Sequence, residues 1–144
     1  MGDKKIDEAA YKIVPYLGRM LPAQYVNLVI SRWMRSYRFG NDYLKLTDSD
    51  HYFQSYSVYI NRILYAPETV IRLAVLTDDP DVALGFAVFR GHTLDYVHVH
   101  KDCRKQGIAK FLLGDHVKQF THLTRIGMKL WPTKLPDALF TPFA

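Results

Sequence analysis

Residues 94–113, LDYVHVHKDCRKQGIAKFLL, decide the fold. The run from Leu94 to Val99 is β-branched and aromatic, the composition of a strand. From about Gly107 the apolar residues Ile108, Leu112 and Leu113 recur at helical spacing. Between the two lies Arg104-Lys105-Gln106-Gly107-Ile108-Ala109, a basic turn of the form R-x-x-G-x-A. A turn that feeds a helix this way leaves the first helical amides without acceptors, and the helix dipole draws an anion there. Gly107 admits a close approach of backbone to a diphosphate, and Ala109 lets the helix pack tightly. Charge agrees: Arg90, Lys101, Arg104, Lys105 and Lys110 outweigh Asp95 and Asp102 along this stretch. The plainer alternative is an ordinary β-turn-α connection with a basic loop; the strand before and the helix after favour the anion site.

Upstream, 70–77 (VIRLAVLT), 82–90 (VALGFAVFR) and 92–99 (HTLDYVHV) read as strands joined at Asp78–Asp81 and Arg90-Gly91, an antiparallel meander. Two helices precede them. The first runs from Pro22 to about Tyr37, with Leu21, Tyr25, Leu28, Val29, Trp33 and Tyr37 on one face and Gly40 as its C-cap. The second spans 49–64 after N-cap residues in Thr47–Asp50. Its face of Phe53, Tyr56, Tyr59, Ile60, Ile63 and Leu64 serves core packing, or some of the hydroxyls line a substrate groove. Residues 11–17 form a short first strand, which Pro15 confines to an edge. Downstream, a helix over 105–120 uses Ile108, Leu112, Leu113, Val117 and Phe120. A strand at 126–130, reached through that crossover, lies parallel to 92–99. The expected fold is α/β (α+β): a mixed, mostly antiparallel sheet flanked by helices, in the order β-α-α-β-β-β-α-β.

The 144 residues are expected to form one domain, 1–144, with a single continuous core. A hydrophobic content of 49% excludes a disordered chain. No apolar run is long enough to span a membrane, and residues 1–20 carry no signal-peptide pattern. The one cysteine, Cys103, permits no internal disulfide and points to a reducing, cytoplasmic setting. The net charge of +5 is spread along the chain. Arg32, Arg35 and Arg38 form a row at helical spacing, a solvated face or a contact for nucleic acid or an acidic partner.

Val99 to Ala109, with Leu112-Leu113, resembles the acyl-CoA-binding core of the GNAT N-acetyltransferase superfamily: a strand ending in Val, four residues, Arg or Gln, then G-x-G or G-x-A opening a helix. The resemblance covers about twenty residues closely and extends by order of elements from about residue 10 to residue 130. It implies acetyl-CoA as co-substrate and direct acyl transfer to an amine of a small molecule, peptide or modified nucleic acid. It implies that Val97, His98 and Val99 offer backbone bonds to the pantetheine arm, and that Arg104, Lys105, Gln106, Gly107, Ile108 and Ala109 hold the diphosphate. Asp95 stands where relatives often place an acid–base residue, with His98 as second choice; Tyr96 and His100 are nearby. Strand alternation sets Asp95, Val97 and Val99 on one face and Tyr96, His98 and His100 on the other.

Against the family pattern, the tail 131–144, WPTKLPDALFTPFA, is too short and proline-rich for a further helix and two strands, so a C-terminally shortened member is expected. Its apolar residues could cover the open sheet edge or dock on another subunit, making a homodimer possible. The family's usual general acid is a tyrosine beyond the fifth strand, and no tyrosine follows Tyr96 here. Tyr52, Tyr56 and Tyr59, or water, are the substitutes. A catalytically inactive GNAT-like binding module, possibly associated with nucleic acid, is the alternative. No metal is expected: His98 and His100 lack a third and fourth ligand nearby. A nucleophilic role for Cys103 has no His–acid partner to support it.

Overall fold

The computed structural model describes residues 10–103, 107–115, 117–124 and 137–142. In chain order these form β1 (Tyr11–Leu17), α1 (Ala23–Phe39), α2 (Ser49–Leu64), β2 (Thr69–Leu76), β3 (Ala83–Arg90), β4 (Thr93–Val99), α3 (Ile108–Leu113), β5 (Gln119–Phe120) and β6 (Leu139–Phe140). The strands make one sheet in the order β1-β2-β3-β4-β5-β6. Neighbours are antiparallel as far as β4, and β4–β5 and β5–β6 are parallel. The expected order of elements and the mixed sheet both hold.

The local reasons are legible. Pro22 sits at the N-cap of α1, and Gly40 follows its last residue. Asp48 caps α2 by accepting the backbone N–H of His51 at 2.9 Å. Pro15 lies in β1, an edge strand, where its missing N–H costs no ladder bond. The meander turns at Gly91, whose φ of 61° suits glycine.

The sheet has a core on each face. On one, Tyr25, Val29 and Trp33 of α1 and Ile60, Ile63 and Leu64 of α2 pack on Ile71, Leu73, Phe86, Val88 and Tyr96. On the other, Ile108, Leu112 and Leu113 of α3 pack on Ala74, Ala87, Phe89, Leu94 and Val99. This explains why β3 is buried from Ala83 to Phe89, without polar alternation. Trp33, fully buried, stacks on Tyr96 at 5.2 Å between ring centroids and 8° between planes.

Beyond Leu113 the structure differs from the sequence-based expectation. The helix expected over 105–120 is six residues long. Gly114 ends it with φ 64° and ψ −153°, a conformation that L side chains avoid. Arg72 donates to the Leu112 carbonyl at 3.2 Å, satisfying one of the acceptors the helix end leaves open. The chain can then extend, so Gln119–Phe120 become the parallel strand beside β4. Val117 and Phe120 had matched the helical period only by coincidence of spacing. The strand expected at 126–130 lies outside the described residues. From the tail, Leu139–Phe140 pairs with β5, so part of it does cover the sheet edge. Gln119 ties the three strands together, donating to Thr93 Oγ1 at 2.6 Å and accepting from Thr141 Oγ1 at 3.1 Å.

Chemical denaturation should separate these contributions. Trp33→Ala is expected to lower the unfolding free energy by about 3–5 kcal/mol, through lost burial and the cavity left behind. Asp48→Ala is expected to cost about 1 kcal/mol, the loss of one helix cap.

Candidate active site

The centre of the site is an irregularity in β4. Pairing with β3 runs Gly85↔Val99, Phe86↔His98, Ala87↔Val97 and Val88↔Tyr96, then steps to Phe89↔Leu94, leaving Asp95 without an opposite residue. Asp95 is therefore the extra residue of a β-bulge, and a bulge re-aims its side chain. This corrects the alternation expected from sequence. Val97 and Val99 face α3, whereas Asp95 joins Tyr96 on the side of α1 and α2.

Asp95 is 1% exposed and held from two directions. Arg90 donates through Nε to Oδ2 at 2.6 Å and through Nη2 to Oδ1 at 2.7 Å, a bidentate pair. The carboxylate in turn raises the Arg90 pKa, chiefly through these hydrogen bonds. Thr121, the first residue after β5, donates its hydroxyl proton to Asp95 Oδ1 at 2.9 Å. Its backbone N–H also bonds the Leu94 carbonyl at 3.1 Å.

Thr121 Oγ1 lies 2.8 Å from His122 Nδ1. A hydroxyl has one proton, and here Asp95, bound as acceptor to Arg90, takes it. Thr121 must then accept from His122, which assigns the imidazole proton to Nδ1 and leaves Nε2 with the lone pair. Around this ring stand Tyr37 of α1 at 4.8 Å between centroids, Tyr56 and Tyr59 of α2 at 6.0 and 5.8 Å, and Tyr96 and Trp33 at 6.0 and 5.5 Å. Burial lowers the His122 pKa to about 4, partly opposed by Asp95. Burial likewise raises the phenols of Tyr37, Tyr52, Tyr56 and Tyr59. At neutral pH the cluster is thus a neutral imidazole among protonated tyrosines.

A cavity of about 510 Å³ opens against this cluster, lined by Tyr37, Tyr52, Tyr56, Tyr59, Thr121 and His122 among others. A second, of about 580 Å³, lies between α1 and the end of β4, where His98 meets Arg32, Arg35 and Ser36. The residues expected from sequence distribute over these parts as follows. Asp95 is buried beside the first cavity, and His98 lines the second. Val97 and Val99 face the α3 core. Gly107 is exposed at the α3 N-cap with φ 81°, and a methyl group built there would meet only the edge of Phe111, at 4.0 Å. Ile108 is buried, and Ala109 packs on the same core. Arg104, Lys105 and Gln106 lie outside the described residues.

The arginine row does not form one surface. Arg38 turns inward, donates to the Thr47 carbonyl at 2.9 Å and lies over the rings of Tyr52 and Phe53. Only Arg32 and Arg35 line the second cavity. Among the described residues no group of three or more His, Cys, Asp or Glu could hold a metal ion, and no helix is long and apolar enough to cross a membrane.

Sequence reading missed Thr121 and His122 because the helix was carried through Phe120. Gly114-Asp115, read as a helix stop, would have placed both at the end of a strand beside β4.

In fold class the chain is GNAT-like, by its own element order and by the parallel step from β4 to β5. Solved structures similar to it include the solution structure of apo YjaB from Escherichia coli, at 21% identity and TM-score 0.49, over 72% of this chain and 61% of that one. A ribosomal-protein-alanine N-acetyltransferase from Brucella melitensis biovar Abortus 2308 is similar at 18% identity and TM-score 0.45, over 91% and 78%. AAC(6')-Iy in complex with the bisubstrate analog CoA-S-monomethyl-acetylneamine is similar at 17% identity and TM-score 0.40, over 91% and 77%. The chain thus spans about three-fifths of the length of YjaB. No protein-family model and no curated protein matches it.

Two outcomes follow from the electrostatics. Unfolded, His122 titrates near pH 6.5; folded, it does so at about 4. Between those values the unfolded chain binds a proton that the native chain refuses, so stability falls as pH drops through this window, by of order 2 kcal/mol. Urea titrations at several pH values should record the drop, and His122→Asn should flatten it. Arg90→Met, which strands a buried carboxylate, is expected to cost about 3–5 kcal/mol, whereas Arg90→Met with Asp95→Leu should recover most of that loss.

Proposed function

We propose that this protein is an acetyl-CoA-dependent N-acetyltransferase that moves the acyl group directly from the thioester to an amine. One observation carries the reading. β5 pairs with β4 only at Thr93 and Leu94, while β3 accompanies β4 as far as Val99. The parallel partner ends where β4 bulges, and a wedge between two parallel strands is what the resemblance requires for a pantetheine arm laid beside Val97, His98 and Val99. Gly107, exposed with positive φ at the start of α3, supports a diphosphate held by residues 104–109, with no side chain capping the helix in its place.

In this reading the protein supplies orientation and proton management rather than covalent chemistry. Holding amine and thioester in one geometry converts a bimolecular reaction into an effectively unimolecular one. Backbone N–H groups polarise the carbonyl. Of the two acid–base residues chosen from sequence, Asp95 acts through its hydrogen bonds, since both of its oxygens are engaged. His98 acts at the rim of the cavity that it shares with Arg32 and Arg35.

Isothermal titration of the full chain with acetyl-CoA, followed by mass spectrometry on an amine panel, tests this. The expected result is saturable binding, competed by CoA, with acylated product. Gly107→Val should weaken binding about tenfold, because a β-branched residue resists positive φ. Binding without turnover would favour the interaction module, and absence of binding would remove the reading.

A further inference from the structure

We propose that the cavity beside His122 takes a planar aromatic amine as the acyl acceptor, and that His122 Nε2 receives the proton that the amine gives up. The chemistry rests on the acyl-transfer reading above; the occupant of the cavity is argued from its walls.

Three features of those walls select the ligand. First, the tyrosines are arranged as near-parallel plates: Tyr37 and Tyr52 each stack on Tyr56, at 5.5 and 5.3 Å and 21° and 14°, and Tyr59 does so at 5.3 Å and 28°. A flat ring extends such a stack, with offset aromatic contacts on its faces. Second, no carboxylate is among the lining residues. A polyammonium compound would find no countercharge there, while an aromatic amine is already the free base at neutral pH because its lone pair is delocalised into the ring. Third, the Tyr56 hydroxyl is buried without a hydrogen-bond partner among the described residues, although Tyr56 lines the cavity. A bound amino group can satisfy it.

The imidazole is prepared for its role by what lies behind it. Arg90 holds Asp95, Asp95 takes the Thr121 proton, and Thr121 accepts from Nδ1–H, so the lone pair belongs to Nε2. Burial keeps the ring unprotonated and able to accept a proton at neutral pH. In the transfer the amine nitrogen bonds to the acyl carbon and the carbon–sulfur bond of the acyl-CoA breaks. The nitrogen loses its proton to Nε2, and the imidazolium returns that proton to the departing thiolate. Asp95 and Thr121 are positioning residues; His122 is the catalytic one. The titratable and charged groups facing the ring are Arg90 of β3, Asp95 and Tyr96 of β4, Tyr37 of α1 and Tyr56 and Tyr59 of α2, with His51 of α2 on the same cavity.

Two arms test the inference separately from the acyl-transfer reading. In the first, the full chain without acetyl-CoA is titrated with 4-methylaniline or with spermidine while the His122 imidazole signals are followed by NMR. A saturable shift with the aromatic amine is expected, weakened about tenfold in Tyr56→Leu, with no saturable shift for spermidine. No shift with the aromatic amine, or a stronger response to spermidine, overturns the proposed acceptor class, whatever acetyl-CoA does. In the second arm, turnover of 4-methylaniline is measured with acetyl-CoA. His122→Gln is expected to lower kcat about a hundredfold, with acetyl-CoA affinity unchanged within twofold. Thr121→Val should lower kcat about tenfold and move the acid limb of the pH profile, and Thr121→Ser should restore both. Undiminished kcat in His122→Gln overturns the catalytic role. Loss of acetyl-CoA binding in the unaltered protein fails the parent reading and the proposed transfer, while the first arm still decides the occupant of the cavity.

Discussion

The bidentate pair between Arg90 and Asp95 is the constraint on which the site depends. Asp95 is the one residue of β4 without an opposite number on β3, and its carboxylate is buried. A buried ion pair carries a large desolvation cost and often contributes little net stability. Here it sets geometry. It fixes where the bulge points, and through the bulge it fixes Thr121 at the point where β5 ends. The imidazole of His122 then has a defined tautomer, although it never touches Asp95 side chain to side chain.

The surrounding core makes this constraint effective. Trp33 stacks on Tyr96, and Tyr96 shares a 2.6 Å hydrogen bond with Ser36 of α1. α1 is thereby keyed to the strand just beyond the bulge. Tyr52 of α2 donates to the Met34 carbonyl at 2.7 Å, so the two helices hold one position relative to each other. The tyrosine stack is thus part of the packing that joins α1, α2 and the sheet, and it is also the wall of a cavity. The two uses suit each other, since an aromatic face that packs well against a neighbour also suits a flat ligand.

Much of the fold was legible in sequence for local reasons. Asp48 and Gly40 end helices by the chemistry of caps, Pro15 marks an edge, and Gly91 marks a turn. Each acts within a few residues of itself. The stretch from Gly114 to Phe120 was misread because Val117 and Phe120 continue a helical spacing that Gly114 breaks. Hydrophobic period alone does not register a backbone conformation with positive φ. The face of Asp95 was misread for a related reason: alternation assumes a regular pleat, and a bulge is recognised only from the register of the partner strand.

By itself the sequence determined the succession of strands and helices, the three-strand meander and the glycine turn into α3, because these follow from propensity, spacing and capping. It also pointed to Asp95 and His98 as polar residues on a strand of special interest. Tertiary structure alone decided that Arg90, Asp95, Thr121 and His122 form one chain of hydrogen bonds, and that Arg38 turns inward while Arg32 and Arg35 line a cavity. The physical reason is range. A hydrogen bond between Thr121 and Asp95, 26 residues apart, depends on strand pairing and on a bulge, and no local pattern encodes either.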